Sequence, residues 1–539
     1  MRLERAGELA PELGADNSPA LVTRQEWRWA TGFALIVMAV TTVPYIVAAA
    51  SQGATWQFSG FLIAVEDGNS YLADMGEGAR GAWLFTLPYT SEPQRGALLY
   101  GFYLLLGRLA GPDHTAMVLS YQAARIVCGV LLLLTCYLFV AQFLPRLGQR
   151  RLAVLLVALG GGMGWLLVVL FPAGLLKSLP VDFISPEAFS FLVLFAFPHL
   201  AAERCLFLLG LLAYLRGRGV LAGLALLGVG LIQPLAVLVA WAVVAVHLAL
   251  SWGWQRRTSG GSAWWRGARG AILLGLLSAP AVLYTVFIFL TDPVLRLWNA
   301  QNRLPSPNPV HYLLAYGVWL VFAVPGWRVL WHRRPQLAIL AGGWLLLAPV
   351  LLYAPIPTQR RLIEAIQVPL AALTVLGLSV ALRRFRHWLT PTVLALCLPT
   401  SLFILLGALV VSRVPGEPIF HPTDEVAAFG WLSGHSQPGQ VALSSYETGN
   451  VLPAYTPLVA YIGHGPETID LATKAPMVSA FYQSTTADAD RRMLLAAGRI
   501  RYVIFGPHER ALGNFDPAQA PYLAWRFGIG SYSIYEATP

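Results

Sequence analysis

Two adjacent carboxylates, Glu66 and Asp67, lie in the sequence VEDGNSYLADM, shortly after the first long apolar run. A charged carboxylate beside a bilayer is costly and often functional. It can take a proton from an attacking hydroxyl, and burial at a low-dielectric interface would raise its pKa and make it a stronger base. We assign this role to Asp67 before Glu66 because Gly68 follows it and permits close backbone approach. The alternative is an ordinary acidic turn.

Arg360 and Arg361, in the sequence PTQRRLI, form the second candidate group. Guanidinium groups bind phosphate through paired N–H donors, and these two residues oppose the charge bias expected of their loop. Arg125 lies near the end of an apolar run and is a third candidate for phosphate binding. The alternative for the arginine pair is snorkelling of long side chains to the membrane interface.

Weaker candidates for substrate contact are Tyr71, Tyr89, Glu92, Glu187 and His199. The tyrosine rings can stack on sugar faces, and His199 can bind phosphate or orient a carboxylate, although a lone intramembrane histidine more often packs helices. Mg²⁺ or Mn²⁺ would suit the hard oxygen ligands, but no ligand spacing predicts a metal site. The 4 cysteines all lie in apolar runs and predict neither a disulfide framework nor a zinc site.

The elements that must position these residues are mostly apolar runs. The chain has 539 residues, of which 56% are hydrophobic and 12% are charged, against about 25% charged in soluble domains. Runs near span length predict a polytopic membrane protein. The net charge of +10 does not indicate nucleic-acid binding, because the arginines cluster in short loops between the runs. The preference for arginine over lysine is typical of a high-GC bacterial gene.

The distribution of arginines predicts the topology. Residues 97–110 are too short to span, and a crossing there would put Arg146, Arg150 and Arg151 outside, so we predict an interfacial helix. About eleven spans remain, at residues 29–50, 115–141, 152–171, 189–214, 219–232, 234–252, 270–290, 310–328, 336–354, 364–382 and 389–412. The N-terminus is then cytoplasmic and the C-terminus lies outside.

Three regions follow from this topology: a cytoplasmic tail (1–28), an all-α transmembrane domain (29–412) with a long first outer loop (51–114), and an extracytoplasmic α/β domain (413–539). The last region has no span-length run. Its patterns predict helices at residues 424–432 and 487–497, and strands at residues 440–443, 458–462 and 501–505.

The acidic loop VEDGNSYLADM, the following YTSEPQRGALLYGFYLLLG, the many spans and the outer C-terminal domain resemble the GT-C superfamily of integral-membrane glycosyltransferases. Examples are protein O-mannosyltransferases and aminoarabinose transferases. The resemblance covers 1–412 as architecture, with local similarity at 56–125, 186–203 and 353–370. It implies an undecaprenyl- or dolichyl-phosphate-linked sugar as donor and an acidic residue of the first outer loop that acts on the acceptor.

The expected function is therefore inverting sugar transfer at the outer face of the plasma membrane. The expected partners are a polyprenyl-phosphate sugar, membrane lipids and an acceptor that is a glycan, lipid or protein. Other readings are a transporter or flippase of lipid-linked sugars, a polymerase or ligase of surface polysaccharide, and a non-catalytic scaffold. Transporters often carry paired interrupted helices, whereas the sequence shows one interruption, at Gln233-Pro234, without a partner.

Overall fold

The computed structural model describes residues 22–171, 174, 176, 178–258, 262–381 and 386–538. Within these residues, ten helical segments are long and apolar enough to cross a membrane: Arg24–Ser51, His114–Phe143, Leu147–Leu170, Pro198–Leu215, Pro234–Arg256, Trp264–Thr291, Pro309–Arg333, Pro335–Leu352, Gln359–Val380 and His387–Val411. The predicted polytopic helical fold is confirmed. The remaining predicted span is a shorter apolar helix, Gly219–Ile232.

The individual helices of this part are α1 (Arg24–Ser51), α2 (Val65–Ala79), α3 (Gly101–Ala110), α4 (His114–Phe143), α5 (Leu147–Leu159), α6 (Gly164–Leu170), α7 (Val181–Ile184), α8 (Ser190–Ala196), α9 (Pro198–Leu215), α10 (Gly219–Ile232), α11 (Pro234–Thr258), α12 (Ser262–Thr291), α13 (Pro293–Gln301), α14 (Pro309–Arg333), α15 (Pro335–Leu352), α16 (Gln367–Val380), α17 (Arg386–Cys397) and α18 (Pro399–Val411). A 3₁₀ helix, Gln359–Ile363, precedes α16.

Several predicted boundaries were wrong. Most of the predicted tail, residues 1–21, lies outside the described residues, and α1 begins at Arg24 behind a capping box of Thr23 and Glu26. The predicted span 189–214 is divided into α8 and α9, because Pro198 cannot donate the backbone hydrogen bond that would continue α8.

The long first loop contains two helices, α2 and α3, that cross at close range. An added Cβ at Gly78 would overlap the carbonyl oxygen of Leu104, and one at Gly107 would overlap that of Met75. The two backbones can therefore touch only because both positions are glycine. The short helix predicted within 97–110 is confirmed as α3, and it supports α2, which carries the acidic pair.

The C-terminal α/β unit (residues 420–538) lies against α2 and follows the predicted pattern. Its elements are β2 (Phe420–Pro422), α19 (Thr423–His435), β3 (Val441–Leu443), α20 (Tyr446–Tyr455), β4 (Val459–Ala460), α21 (Leu471–Phe481), α22 (Asp488–Ala497), β5 (Ile500–Phe505), α23 (Pro507–Leu512), a 3₁₀ turn (Pro517–Gln519), β6 (Leu523–Ile529) and β7 (Tyr532–Ala537). All three predicted strands and both predicted helices are present.

A mixed sheet with strand order β4-β3-β5-β7-β6 forms the centre of this unit. Strand β3 pairs in parallel with β4 and β5, and β7 pairs antiparallel with β5 and β6. A separate antiparallel ribbon joins β2 to β1 (Trp56–Phe58) of the first loop. Backbone hydrogen bonds therefore tie the C-terminal unit to the loop that carries Glu66 and Asp67.

Candidate functional site

Glu66 and Asp67 occupy the first turn of α2 rather than a loop turn. The residue before the helix, Ala64, has a φ of 49°, in the left-handed region. The positive end of the helix dipole favours ionised carboxylates at this place. An added Cβ at Gly68 would overlap the ring of Phe61. The glycine therefore serves ring packing inside the protein, which is a different use from the approach to substrate that we predicted.

Glu66 is held by the C-terminal unit. Its Oε1 accepts hydrogen bonds from the Tyr446 hydroxyl and from the backbone N–H of Gly465, the latter at 2.9 Å. Asn450 donates to the backbone carbonyl of Glu66 at 3.4 Å. These contacts join the start of α2 to the C-terminal unit.

Asp67 is placed differently from its neighbour. Its Oδ1 lies 3.4 Å from Nε2 of His464, which is almost fully buried. Half of the Asp67 side-chain surface is nevertheless exposed, although protein surrounds the carboxylate on most sides. Because solvent reaches half of this side chain, an acceptor hydroxyl could approach the carboxylate. We call the solvent-exposed side of Asp67 the recess.

The charges around Asp67 keep it ionised. Burial alone would raise its pKa, but the imidazole of His464 and the guanidinium of Arg361 outweigh burial and lower the pKa of Asp67. Burial likewise favours the neutral ring of His464, but Glu467 and Asp67 raise the pKa of His464 to about 9. The pair is an imidazolium and a carboxylate at neutral pH. Our expectation that the interface raises the pKa of Asp67 was therefore wrong.

A buried acidic cluster lies behind His464. Oε1 of Glu467 lies 3.7 Å from Nδ1 of His464 and accepts a hydrogen bond from Ser70 at 2.7 Å. Burial raises the pKa of Glu467 and that of nearby Asp74. Tyr89, fully buried, stacks on His464 with 5.3 Å between ring centroids. The sequence analysis named Tyr89 as a ring that could stack on a sugar. In the structure this ring is buried and packs against the imidazole of His464.

Arg361 connects the second candidate group to the first. Its Nε lies 3.6 Å from Oε1 of Glu187, and about a third of its side chain is exposed. Its charge acts on both Asp67 and His199. Three segments that are remote in sequence, α2, the start of α9 and the 3₁₀ helix, therefore bring Asp67, His199 and Arg361 within electrostatic reach of one another.

Arg360 points to different neighbours. Its charge acts on Tyr312 of α14, and its Nε is buried without a hydrogen-bond partner among the described residues. Adjacent residues of a 3₁₀ helix project about 120° apart, so the two side chains leave the backbone in different directions. Of the pair, Arg361 is the one whose charge acts on Asp67.

A buried ion pair supports this arrangement. Arg204 and Glu364 are both inaccessible to solvent, with Nε and Oε1 2.5 Å apart. Arg204 also donates to the backbone carbonyl of Glu187 at 3.0 Å. The pair thus ties α9 and the segment that carries Glu187 to the segment that carries Arg361. Sequence analysis missed both residues, although charged residues inside apolar helices are a recognised signal.

Aromatic rings form the wall beside Asp67. Tyr71 stacks on Tyr103 at 4.4 Å and meets His199 edge-on at 5.2 Å. Nδ1 of His199 lies 2.5 Å from the Tyr103 hydroxyl. Burial raises the pKa of Tyr71 well above its usual range, and the charge of Asp67 raises it further. Tyr71 is partly exposed and therefore remains available to a ligand.

The remaining candidates lie among protein partners. Arg125 is buried, donates to Thr41, Thr42 and the Leu194 carbonyl, and sits over the Tyr45 ring. In the first loop, Glu92 pairs with Lys474 at 2.7 Å. Arg125 joins α4 to α1 and α8, whereas Glu92 joins the loop to the C-terminal unit. Their predicted contacts with phosphate and substrate stay predictions.

The donor set around Asp67 does not fit a metal ion. Among the described residues, no three histidine, cysteine or carboxylate side chains are grouped as metal ligands. The side chain nearest Asp67 is a histidine whose raised pKa keeps it cationic, and an imidazolium has no lone pair to offer. We therefore derive no step through a metal.

His464 is the principal residue that sequence analysis missed. The histidines of the C-terminal region are scattered in sequence, and only the parallel sheet brings this one to α2. An added Cβ at Gly449 would overlap the carbonyl oxygen of Ile462, so a glycine permits the close approach that places the His464 loop. A glycine pair flanking that histidine, in GHG, was the available signal.

No family model matches the chain, and no curated protein sequence does. Among solved structures the chain is similar to membrane enzymes of the GT-C type. It matches ArnT from Cupriavidus metallidurans in the apo state with a TM-score of 0.52 and 14% identity, over 95% of this chain and 99% of that one. It matches ArnT bound to undecaprenyl phosphate with a TM-score of 0.50 and 12% identity, over 94% and 99%.

It also matches the archaeal oligosaccharyltransferase AglB from Archaeoglobus fulgidus, in complex with an inhibitory peptide and a dolichol-phosphate. The TM-score is 0.51 with 12% identity, over 87% of this chain and 69% of that chain. At these identities the likeness establishes the fold. The chain has the GT-C architecture over most of its length, which confirms the resemblance drawn from its sequence.

Proposed function

We propose that the protein is a membrane glycosyltransferase that moves a sugar from a polyprenyl-phosphate donor to an acceptor hydroxyl, with inversion. Asp67 is the general base and Arg361 binds the phosphate of the donor. The observation that carries this proposal is a half-exposed Asp67, 3.4 Å from His464 and within electrostatic reach of Arg361, in a chain with a GT-C-like fold. The similar structures support the donor class, since one holds undecaprenyl phosphate and another a dolichol-phosphate.

The reaction is a single displacement. The acceptor oxygen forms a bond to the anomeric carbon while the bond from that carbon to the phosphate oxygen breaks. The acceptor proton passes to Asp67, and the lipid phosphate leaves with the bonding electrons. Arg361 pairs with the developing phosphate charge, which is a strong charge-assisted contact for a guanidinium.

Donor binding and base strength are coupled in this scheme. Arg361 lowers the pKa of Asp67 in the free protein. A donor phosphate would offset the charge of Arg361, so the pKa of Asp67 would rise when the donor is bound. The carboxylate then becomes a better proton acceptor at the stage at which it is needed.

His464 is a positioning residue in this mechanism. With a pKa raised to about 9, the imidazole is protonated at neutral pH and cannot accept the acceptor proton. It holds the Asp67 carboxylate in place by an ion pair at 3.4 Å. The partly exposed ring of Tyr71 is the group best placed to contact the sugar, by stacking.

We propose that the protein lies in the plasma membrane with Asp67 on the side that faces away from the cytoplasm. The C-terminal unit, which contacts Glu66 and Asp67, would then lie outside as well. The opposite helix ends carry many exposed arginines, among them Arg216, Arg266 and Arg333. This distribution follows the positive-inside rule and supports an arrangement with the N-terminus in the cytoplasm.

The test compares Asp67→Asn with Glu66→Gln. Each removes one charge from the same helix turn, but the Glu66 carboxylate accepts hydrogen bonds from Tyr446 and Gly465, whereas Asp67 is the carboxylate on which the charge of Arg361 acts. Each variant would be expressed in cells from which the native gene has been deleted. Mass spectrometry of envelope glycolipids, glycans and glycoproteins from these cells would detect the addition of one sugar. We expect Asp67→Asn to reduce transfer by about 10²–10⁴-fold, while Glu66→Gln retains most of it. Full transfer by Asp67→Asn, with normal membrane insertion, would refute the base assignment.

A further inference from the structure

A second cavity lies at the helix ends opposite to Asp67. It measures about 860 Å³ and lies between the junction α9–α10, the C-terminal part of α11, the first turns of α12 and the start of α15. From His199 to Tyr214, α9 rises by about 22 Å, so this cavity and the recess at Asp67 lie on opposite sides of the membrane-spanning part. We call it the basic cavity. A volume of this size lies within the range of ligand sites.

The lining of the basic cavity carries cations without carboxylates. Four exposed arginines line it: Arg216, Arg218, Arg266 and Arg269. None of them pairs with an Asp or Glu among the residues that the structure describes, and no acidic residue lines the cavity. Four unneutralised guanidinium groups around one opening attract an anion, and their forked donors suit phosphate.

The floor of the basic cavity is polar. His247 is only 7% exposed, and its Nδ1 lies 2.9 Å from the Tyr214 hydroxyl. His247 also interacts with the backbone and the side chain of Gln336, and Ser251 donates to Oε1 of Gln336 at 3.0 Å. A linked set of polar side chains therefore lies beneath the four arginines, where a polar head group can contact it.

An apolar groove continues from this cavity along the surface of the helices. It measures about 210 Å³, and Arg216, Arg218 and Leu221 line both spaces. The groove runs between α4, α9 and α10, where its wall includes Leu138, Leu209 and Ala225. A cationic chamber at the helix ends that opens into a hydrocarbon groove matches a molecule with an anionic head and an acyl chain.

We propose that this site binds an anionic glycerophospholipid. The phosphate head occupies the basic cavity among the four arginines and His247, and one acyl chain lies in the groove beside Ala225. Basic pockets between membrane helices are suited to such head groups because they combine charge with proximity to the lipid surface. The site is separate from the proposed donor site and does not depend on sugar transfer.

Native mass spectrometry of the purified full-length protein, titrated with phosphatidylglycerol or phosphatidylcholine, tests the proposal. We expect tight retention of phosphatidylglycerol and weak retention of phosphatidylcholine. Arg266→Gln/Arg269→Gln should weaken phosphatidylglycerol binding by about 30-fold, as expected for two arginines at a lipid surface. The matched control, Arg328→Gln/Arg333→Gln, removes two exposed charges at the same helix ends outside the cavity and should leave binding unchanged.

A second pair of variants tests the groove without altering charge. Ala225→Phe should fill the groove and weaken binding, whereas Ala225→Ser should not.

Equal binding of phosphatidylglycerol and phosphatidylcholine, or equal losses in the two double arginine variants, would overturn the proposal. Glycerol phosphate that competes as well as the lipid would indicate a soluble anion and would also overturn it, as would exclusive binding of undecaprenyl phosphate.

Discussion

Two groups of arginines, at opposite ends of the same helices, have opposite surroundings. Arg361 lies 3.6 Å from Glu187, and its charge reaches Asp67. The arginines of the basic cavity, such as Arg216 and Arg266, meet neutral groups and no carboxylate among the described residues. The guanidinium groups at both ends suit phosphate, but only the first group has carboxylates nearby.

This difference separates chemistry from binding. Transfer from a phosphate donor needs a cation for the leaving group and a nearby proton acceptor for the attacking group. A site with cations alone can hold an anion but has no group to activate a hydroxyl. In the two proposals, the same residue type therefore supports catalysis at one end of the helices and lipid binding at the other.

The largest expected effect is on the free energy of unfolding, and it compares Arg204, which supports the segment of Arg361, with Arg266 of the basic cavity. Arg204→Leu should destabilise the protein by about 3–5 kcal/mol, because it leaves Glu364 buried without its partner. Arg266→Leu, at an exposed position, should change stability by about 0.5 kcal/mol or less. Thermal unfolding in detergent, followed by tryptophan fluorescence, would compare them.

The double variant Arg204→Leu/Glu364→Leu is the control for this prediction. Removing both charges should recover much of the lost stability, since paired buried charges can be replaced by apolar groups at little cost. If Arg204→Leu unfolds at the temperature of the parent protein, the pair does not support the site and the contrast between the two ends is lost.

The next effect distinguishes the two adjacent arginines. Arg361→Gln should weaken binding of undecaprenyl phosphate by about 100-fold, as expected when a buried phosphate loses a charged partner. Arg360→Gln removes the same charge from the neighbouring residue and should cost about tenfold or less, because its guanidinium lies near Tyr312 instead. Microscale thermophoresis of the full-length protein measures both. A larger loss for Arg360→Gln would reverse the assignment.

The sequence predicted much of the fold because its signals are local. Apolar runs of span length and soluble-domain periodicity need no tertiary information. The acidic pair and the arginine pair were likewise visible as charges that oppose their context. Helix α2 was missed because polar residues and glycines fill its first turns, and the break at Pro198 was smoothed over by apolar residues on both sides.

The positioning residues of the site could not be predicted, because they depend on contacts across the whole chain. His464 meets Asp67 only through the packing of the C-terminal unit on α2. Glu92 has the same residue type as Glu66, yet it forms an ion pair with Lys474 of the C-terminal unit. The electrostatic balance also needed geometry, since two cations reverse the effect of burial on the pKa of Asp67.

A smaller effect concerns the imidazolium beside Asp67. His464→Asn removes a charge that lowers the pKa of Asp67, so that pKa should rise and the acid limb of the transfer rate should move to higher pH. At neutral pH we expect a loss of about tenfold or less. The control His435→Asn changes an exposed histidine of α19 and should leave the pH profile unaltered.

The same histidine also predicts the response of the parent protein to alkali. Its pKa is raised from 6.5 to about 9 in the folded protein, so its contribution to stability is complete below pH 6.5 and is lost as pH rises through about 9. The protection factors of the α2 amides, which are taken relative to the intrinsic exchange rate at each pH, should therefore fall above that pH. Unchanged protection factors in α2, or an acid limb unmoved in His464→Asn, would remove His464 from the mechanism.

The smallest effect concerns Glu92, which has no counterpart in the basic cavity. Burial would raise the pKa of Glu92, but Lys474 and Thr90 lower it, so the ion pair stabilises the protein above about pH 4.5 and loses this effect as pH falls. About a third of the Glu92 side chain is exposed, and solvent screening limits the contribution. Glu92→Gln should cost about 1 kcal/mol or less, measured as faster proteolysis of the C-terminal unit with transfer unchanged.

The comparison with Asp67→Asn is informative because Glu92 and Asp67 belong to the same loop. A loss of transfer in Glu92→Gln as large as in Asp67→Asn would mean that both acidic residues of this loop are equally critical. The contrast between the catalytic recess and the residues that support it would then not hold.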